Sequence, residues 1–421
     1  MKKADPSDVF KPRSFPTLTY VNRYADSDDT YEEALKRALR NTGTLISISG
    51  ASKTGKTVLC HKVLPQDSIV DLSGGQISSP EDFWAQIAEK LDMPTEYQYM
   101  RSSQISKSFN SGAGGGPSLP FIGKLNLSGN AGVSTSGGDN VSYKVGRSKT
   151  ALVKFMIEHK LTLIIDDFHY IDKEVQTYIA RTLKAEIFKG LRAIILSLPH
   201  RSDDAIRLNP DLIGRTAFID LAPWSPSDLS QIAEKGFKML GIDIGDAMIS
   251  EMAQEAASSP LLMQEICLNM AGEMKDCHIA HADENLLQKV FRSTAKSYQH
   301  YRDVLKEAYQ GPSQGRARRK QYVSLDRNTY DVYGLLLTSI SSDPPILELP
   351  VDEIQKRIRR ILGAGDIPNK LTIANAVKHL SDIIRASLPK LDTMDVKKNT
   401  LYILDPMLLF YLRWSSSWKV G

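Results

Sequence analysis

Short apolar runs alternate along the chain with longer segments whose apolar residues recur every three or four positions, the pattern of an α/β architecture built on a parallel β-sheet. The runs at Leu45, Ile46 and Ile48, Ser68 to Leu72, Leu161 to Ile165, Leu191 to Leu198 and Ala217 to Leu221 are predicted strands. Helices are predicted from about Asp29 to Arg40, where Tyr31, Leu35, Ala38 and Leu39 share helical spacing, and onward from Val58-Leu59. Further helices are predicted from Pro80 to Leu91 behind a Ser79 cap, from Lys149 to Lys160 and from Asp172 to Lys189. Phe15 to Arg23 reads as an extended lead-in. From Asp228 to about Tyr309 the pattern is all-helical, and the turn Ser258-Ser259-Pro260 starts a new helix within it.

Two stretches break this pattern. Residues 108–146 are rich in Gly and Ser, and Ile122 to Leu127 and Val141 to Val145 alternate by side, which predicts an insertion carrying a short β-hairpin. It either meets a partner or loops out. Residues 310–324 are polar and basic, a predicted linker. Beyond it come predicted helices Asn328 to Ser341, Val351 to Leu362 and Lys370 to Ala386, strands Leu391 to Val396 and Thr400 to Leu404, and a last helix Asp405 to Ser415. Three helices and a hairpin is the order of a winged helix-turn-helix domain. Its third helix is expected to bury Leu371, Ile373, Val377, Leu380 and Ile384 and to expose Asn375, Lys378, His379, Asp382 and Arg385. That face either enters a DNA major groove or belongs to a packing module. The expected domains are 1–224, 225–309 and 325–421, with the linker 310–324 between the last two.

A chain of 421 residues, 42% hydrophobic and 24% charged, has the composition of a globular protein with more than one core. It has no apolar run long enough to span a bilayer and no signal-peptide core behind Met1-Lys2-Lys3, so a cytoplasmic protein without membrane attachment is expected. Cys60, Cys267 and Cys277 are odd in number, far apart and outside any CxxC pair, which argues against a disulfide framework and against a zinc site. The net charge of +4 divides into about +6 over residues 301–421 and −2 over the first 300, so the positive excess is C-terminal.

The most specific chemistry lies at Gly50-Ala51-Ser52-Lys53-Thr54-Gly55-Lys56-Thr57, a GxxxxGK[ST] loop between a predicted strand and a predicted helix. The glycines let successive backbone N–H groups turn toward phosphate, Lys56 reaches the β- and γ-phosphates, and the Thr57 hydroxyl reaches Mg²⁺. Lys53 is a second basic residue in the loop. The run Leu161 to Ile165 ends in Asp166-Asp167, where Asp166 is expected to hold the metal through water and Asp167 to orient an attacking water. His169 reads as a hydrogen-bonded structural residue. Arg201, at the end of the strand Leu191 to Leu198, is either a γ-phosphate sensor or a surface arginine. Arg215 is either an arginine finger for a neighbouring subunit or likewise a surface group. Tyr20 to Arg23 either lies beside the base or has Tyr20 and Val21 simply in the core, and Pro260 either packs on the base or marks an ordinary helix start. The ligands expected are ATP and Mg²⁺. No nuclease-like cluster and no Ser/His/Asp set with workable spacing is present.

Taken together, the chain resembles AAA+-type P-loop ATPases of the STAND and origin-recognition-like group, in the loop Gly50 to Thr57, Leu161 to Asp167, Arg201, Arg215 and Pro260. Leu401-Tyr402-Ile403-Leu404-Asp405-Pro406, followed by Leu408, Phe410, Tyr411 and Trp414, is similar to the closing strand and helix of archaeal and bacterial members. The resemblance implies a P-loop NTPase domain, a helical lid and a C-terminal winged helix. It departs from the group in having Ser258 where a glycine is usual before the lid proline, and in lacking a clear second-sensor arginine. Those departures point to a slow ATPase switch rather than a motor, acting through homo-oligomer contacts or a separate effector protein. The resemblance further suggests bacterial anti-phage defence. Two other readings stay open: a DNA-binding AAA+ ATPase of transposition or replication, holding duplex DNA through the winged helix, and a structural nucleotide-binding module without turnover.

Overall fold

The computed structural model describes residues 4–25, 29–93, 149–198, 214–312, 319–363, 365–388, 391 and 393–418. The Gly/Ser-rich insertion, Arg201 and the linker centre 313–318 lie outside the described residues. Five strands, β1 (Leu45–Gly50), β2 (Ile69–Ser73), β3 (Thr162–Asp166), β4 (Arg192–Ser197) and β5 (Thr216–Leu221), form one sheet in the order β2–β3–β4–β1–β5. β3 pairs in parallel with β2, Ile69 facing Thr162, and with β4, Thr162 facing Arg192. β1 is buried at every position, β3 at all but its last and β4 at all but its first. Burial on both faces is why these strands show as unbroken apolar runs rather than as alternation.

The helices are α1 (Pro6–Val9), α2 (Tyr31–Arg40), α3 (Lys56–Val63), α4 (Pro80–Lys90), α5 (Lys149–Glu158) and α6 (Lys173–Phe188). An all-helical stretch follows with α7 (Pro226–Leu240), α8 (Asp246–Glu255), α9 (Pro260–Asp276), α10 (Glu284–Lys296) and α11 (Arg302–Gln310). α2 begins two residues later than expected because Thr30 and Glu33 close a reciprocal cap: the Thr30 amide donates to Glu33 and the Glu33 amide to Thr30 Oγ1. The expected Ser79 cap on α4 is present, its hydroxyl accepting from the Asp82 amide.

The C-terminal part holds the hairpin β6 (Tyr322–Val323) and β7 (Thr329–Tyr330), then α12 (Val332–Ile340), β8 (Glu348–Pro350), α13 (Val351–Leu362), α14 (Lys370–Ser387), β9 (Met394–Lys397), β10 (Thr400–Ile403) and α15 (Pro406–Trp414). The predicted order of three helices and a hairpin is there, with three corrections. α12 starts at Val332, not at Asn328, because Thr329–Tyr330 pairs with Tyr322–Val323 and Asp331 caps the helix through the Tyr333 and Gly334 amides. β8 adds a third strand, pairing antiparallel with β10. Leu371, expected in the core, is 70% exposed in the first turn of α14, while Ile373, Val377, Leu380 and Ile384 are fully buried.

The chain divides into two compact units. One comprises Met1–Lys36, Ile48–Val63 and Ile219–Gly421; the other comprises Arg37–Ser47 and Leu64–Phe218. In the first, helices α7 to α11 and the C-terminal helices share one core, where Phe291 of α10 packs on Phe410 and Trp414 of α15 with ring centroids 6.0 and 4.5 Å apart. Glu255, ending α8, is 6% exposed and accepts hydrogen bonds from Arg413 Nε at 2.9 Å and from Trp414 Nε1 at 2.6 Å. A buried carboxylate held by a guanidinium and an indole fixes α8 against α15. The second unit packs Val70, Leu72, Phe83, Ile87, Ile179 and Leu183 around β2 to β4.

Two residues beyond Glu255, at the turn into α9, Ala257 and Ser258 both take positive φ, +43° and +61°. Residues carrying a β-carbon are strained there and glycine is not. Ser258→Gly is therefore expected to raise stability by about 0.5–1 kcal/mol, measured as a higher urea midpoint. A lower midpoint would show that the serine side chain offsets the strain.

Candidate functional site

Glycine at position 50 sits in a tight space. A β-carbon there would sit 3.0 Å from Leu221 Cβ and 3.0 Å from Thr54 Oγ1. From the end of β1 the chain curls with Lys53 at φ +61° and Gly55 at φ +94°, and α3 starts at Lys56. Thr54 Oγ1 donates to the Ala51 carbonyl at 2.8 Å, closing the turn from within. Lys56 is 8% exposed, and its ammonium donates to the Gly50 and Ala51 carbonyls, both at 2.9 Å. Thr57 follows in the first helical turn. A bend, a buried ammonium and a helix N-terminus lie together, the kind of arrangement that can receive a polyphosphate. The fold is that of a P-loop NTPase.

The loop Gly50–Thr57 is braced by residues that sequence reasoning did not assign to it. Trp224 Nε1 donates to the Thr54 carbonyl at 2.9 Å, and Ser49 Oγ donates to Asp220. Arg23 lies with its guanidinium 4.6 Å from the Trp224 ring centroid and 5.4 Å from that of Tyr31. It donates to the Ala222 and Pro223 carbonyls and pairs with Asp228 at 3.6 Å. Burial lowers the Arg23 pKa and the Tyr31 and Asp228 charges oppose that shift. Tyr20 donates its hydroxyl to Glu32 and lies under the Lys62 ammonium, 4.9 Å from ring centroid to nitrogen; burial and then Glu32 push its phenol up. Arg23 is thus committed to holding Trp224 in place. The signal available in the sequence was an arginine and two aromatics, Tyr31 and Trp224, far apart in the chain with no local spacing to link them.

In the second unit, Asp166 ends β3 and Asp167 follows at φ +54°, its amide donating to Asp166 Oδ1 at 2.8 Å. Asp167 is exposed and Asp166 partly so. The turn Phe168–Tyr170 behind them is held by Gln176, whose Nε2 donates to the Phe168 and Ile171 carbonyls at 3.1 and 2.8 Å. His169 lies against Tyr170, the rings tilted by 40° with centroids 4.2 Å apart. Gly74, which the sequence reading passed over, backs the acidic pair: a β-carbon on it would lie 2.4 Å from the Asp167 carbonyl oxygen. Arg215 is exposed, its guanidinium 5.8 Å from the ring centroid of the exposed Phe188. Pro260 is the first residue of α9, behind the Ser259 cap. Among the described residues no three His, Cys, Asp or Glu side chains are grouped to hold a metal by themselves. Magnesium bound through one or two carboxylates plus phosphate oxygens needs no such cage.

No protein-family model matches the chain, and no curated protein does. Solved structures do. Cdc6p from Pyrobaculum aerophilum aligns over 97% of this chain and 97% of its own, at 12% identity and a TM-score of 0.44. The Walker-type ATPase PABY2304 of Pyrococcus abyssi aligns over 94% of this chain and 100% of its own, at 15% identity and a TM-score of 0.47. The Thermotoga maritima RuvB Holliday junction branch migration motor aligns over 89% and 91%, at 10% identity and a TM-score of 0.41. No helix among the described residues is long and apolar enough to cross a membrane.

Proposed function

We propose that the protein is an AAA+-type ATP switch that binds ATP with Mg²⁺, hydrolyses it slowly and passes the nucleotide state to its C-terminal helices. The observation that carries this reading is the membership of one unit: the loop Gly50–Thr57, the lid helices and α12 to α15 lie together, with Trp224 on the loop and Arg413 on the lid. In this reading the loop amides and Lys56 bind the β- and γ-phosphates and Thr57 with Asp166 hold the metal. Asp167 orients the attacking water. Magnesium, when bound, offsets phosphate charge. Arg215 is a candidate finger toward a second copy. For such a switch the resemblance suggests bacterial anti-phage defence and a separate effector protein.

The test is hydrogen exchange of α15 with ATP and with ADP, alongside phosphate release. The expected result is slow phosphate release and exchange in α15 that differs between the two nucleotides. Identical exchange with both nucleotides bound would defeat the switch reading.

Gly74→Ala supplies a further check on the acidic pair. The added methyl would displace the Asp167 backbone, so phosphate release is expected to fall about tenfold while ATP affinity stays within about twofold. Unchanged release would remove Asp167 from the reaction.

A second reading, duplex DNA held by a winged helix, is favoured by the exposure of Asn375, Lys378, His379 and Arg385 along one face of α14, with Lys398 exposed in the β9–β10 turn, and opposed by the charge of Asp382, exposed on the same face. ATP turnover stimulated by DNA with a steep salt dependence would support it, and salt-independent binding would oppose it.

A further inference from the structure

The loop residue Lys53 is bound to the far end of the chain. Its ammonium lies 2.9 Å from Asp405 Oδ1 and 3.3 Å from the Met407 sulfur. Asp405 caps α15: Oδ1 also accepts from the Met407 amide at 3.1 Å, and Oδ2 accepts from the Tyr301 hydroxyl at 2.5 Å. The carboxylate is 4% exposed and Tyr301 is 1% exposed, whereas the Lys53 side chain is 34% exposed and so has room to move. Burial and then the Asp405 charge push the Tyr301 phenol far up, so it remains a donor at any working pH. Lys53 is the cation within salt-bridge range of this buried carboxylate among the described residues.

A polyphosphate arriving at the loop is a second anion in reach of the same ammonium, and one lysine cannot neutralise both anions fully. We propose that Lys53 is an exchangeable counter-charge: Asp405 holds it against the cap of α15, bound phosphate draws it away, and the C-terminal helix thereby senses occupancy of the loop. By linkage, the factor by which Asp405 weakens nucleotide binding is the factor by which nucleotide weakens the hold on the α15 cap. This rests on the loop binding nucleotide, as proposed above.

The test is ATP and ADP affinity, by calorimetry with Mg²⁺, for the full-length wild type, Asp405→Asn, Lys53→Met and the double variant. Asparagine caps helices as well as aspartate; with its oxygen on the Met407 amide its Nδ2 faces the Tyr301 hydroxyl, which can turn to accept, so Asp405→Asn removes the charge and keeps the cap, with the Tyr301 hydrogen bond reversed. Asp405→Asn is expected to tighten binding about three- to tenfold, and that gain should vanish in the Lys53→Met background. Equal or weaker binding in Asp405→Asn would overturn the proposal, as would a gain that persists without Lys53. Should Asp405→Asn lose its fold, Lys53→Met carries the test through hydrogen exchange. Faster exchange in α15 without nucleotide and no further change on adding ATP supports the exchangeable charge; wild-type behaviour refutes it. A wild type that binds no nucleotide would refute the ATP-switch reading instead.

Discussion

Lys56→Ala is expected to weaken ATP binding by at least about 100-fold, equivalent to about 2.7 kcal/mol. The group removed is a buried ammonium at the first residue of α3, hydrogen-bonded to the Gly50 and Ala51 carbonyls. A charged hydrogen bond to a buried site contributes about 1.5–3 kcal/mol, and in the proposed reading one ammonium would serve two phosphates. Lys56 opens the helix, where alanine is well tolerated, so the variant should keep its fold. ATP affinity followed by calorimetry, with a thermal melt to confirm folding, reads this directly. Wild-type affinity in a folded Lys56→Ala protein would mean that the loop is a structural turn.

Asp167→Asn is expected to cut phosphate release by about 100- to 1,000-fold with ATP affinity changed by less than about threefold. The exposed carboxylate sits at φ +54°, a conformation that asparagine adopts readily, so the backbone of the turn should survive the change. What is lost is an oriented anion able to accept a proton from water. Release at the wild-type rate would move that role to another residue, and a loss of ATP binding would give Asp167 a part in holding nucleotide.

Much of this architecture was legible in the chain. β1, β3 and β4 are buried on both faces, so they read as apolar runs, and the loop Gly50–Thr57 lies between β1 and α3 as its motif demands. Pro80 and Pro260 start their helices behind Ser79 and Ser259, because a cap hydroxyl followed by proline is a local signal. What escaped was either too short or too long in range. β8 is three residues with only Leu349 buried, and β6 and β7 have two residues each, below the length at which periodicity carries information. Helical spacing put Leu371 on the apolar face, yet in the first turn of α14 nothing covers it enough to exclude solvent. The partners of the loop are invisible for a different reason. Trp224 is 170 residues from Thr54, and Asp405 is 352 residues from Lys53, so no window of sequence contains both ends of either bond. Gly74 carries no motif; its need is set by the Asp167 carbonyl pressed against it.

The most direct measurement of the central claim is a calorimetric titration of the wild-type chain with ATP in the presence of Mg²⁺, repeated on folded Lys56→Ala. The account predicts one ATP bound per wild-type chain and no binding heat in the variant over the same concentrations. Absence of binding by the wild type, or equal binding by the two proteins, would contradict it.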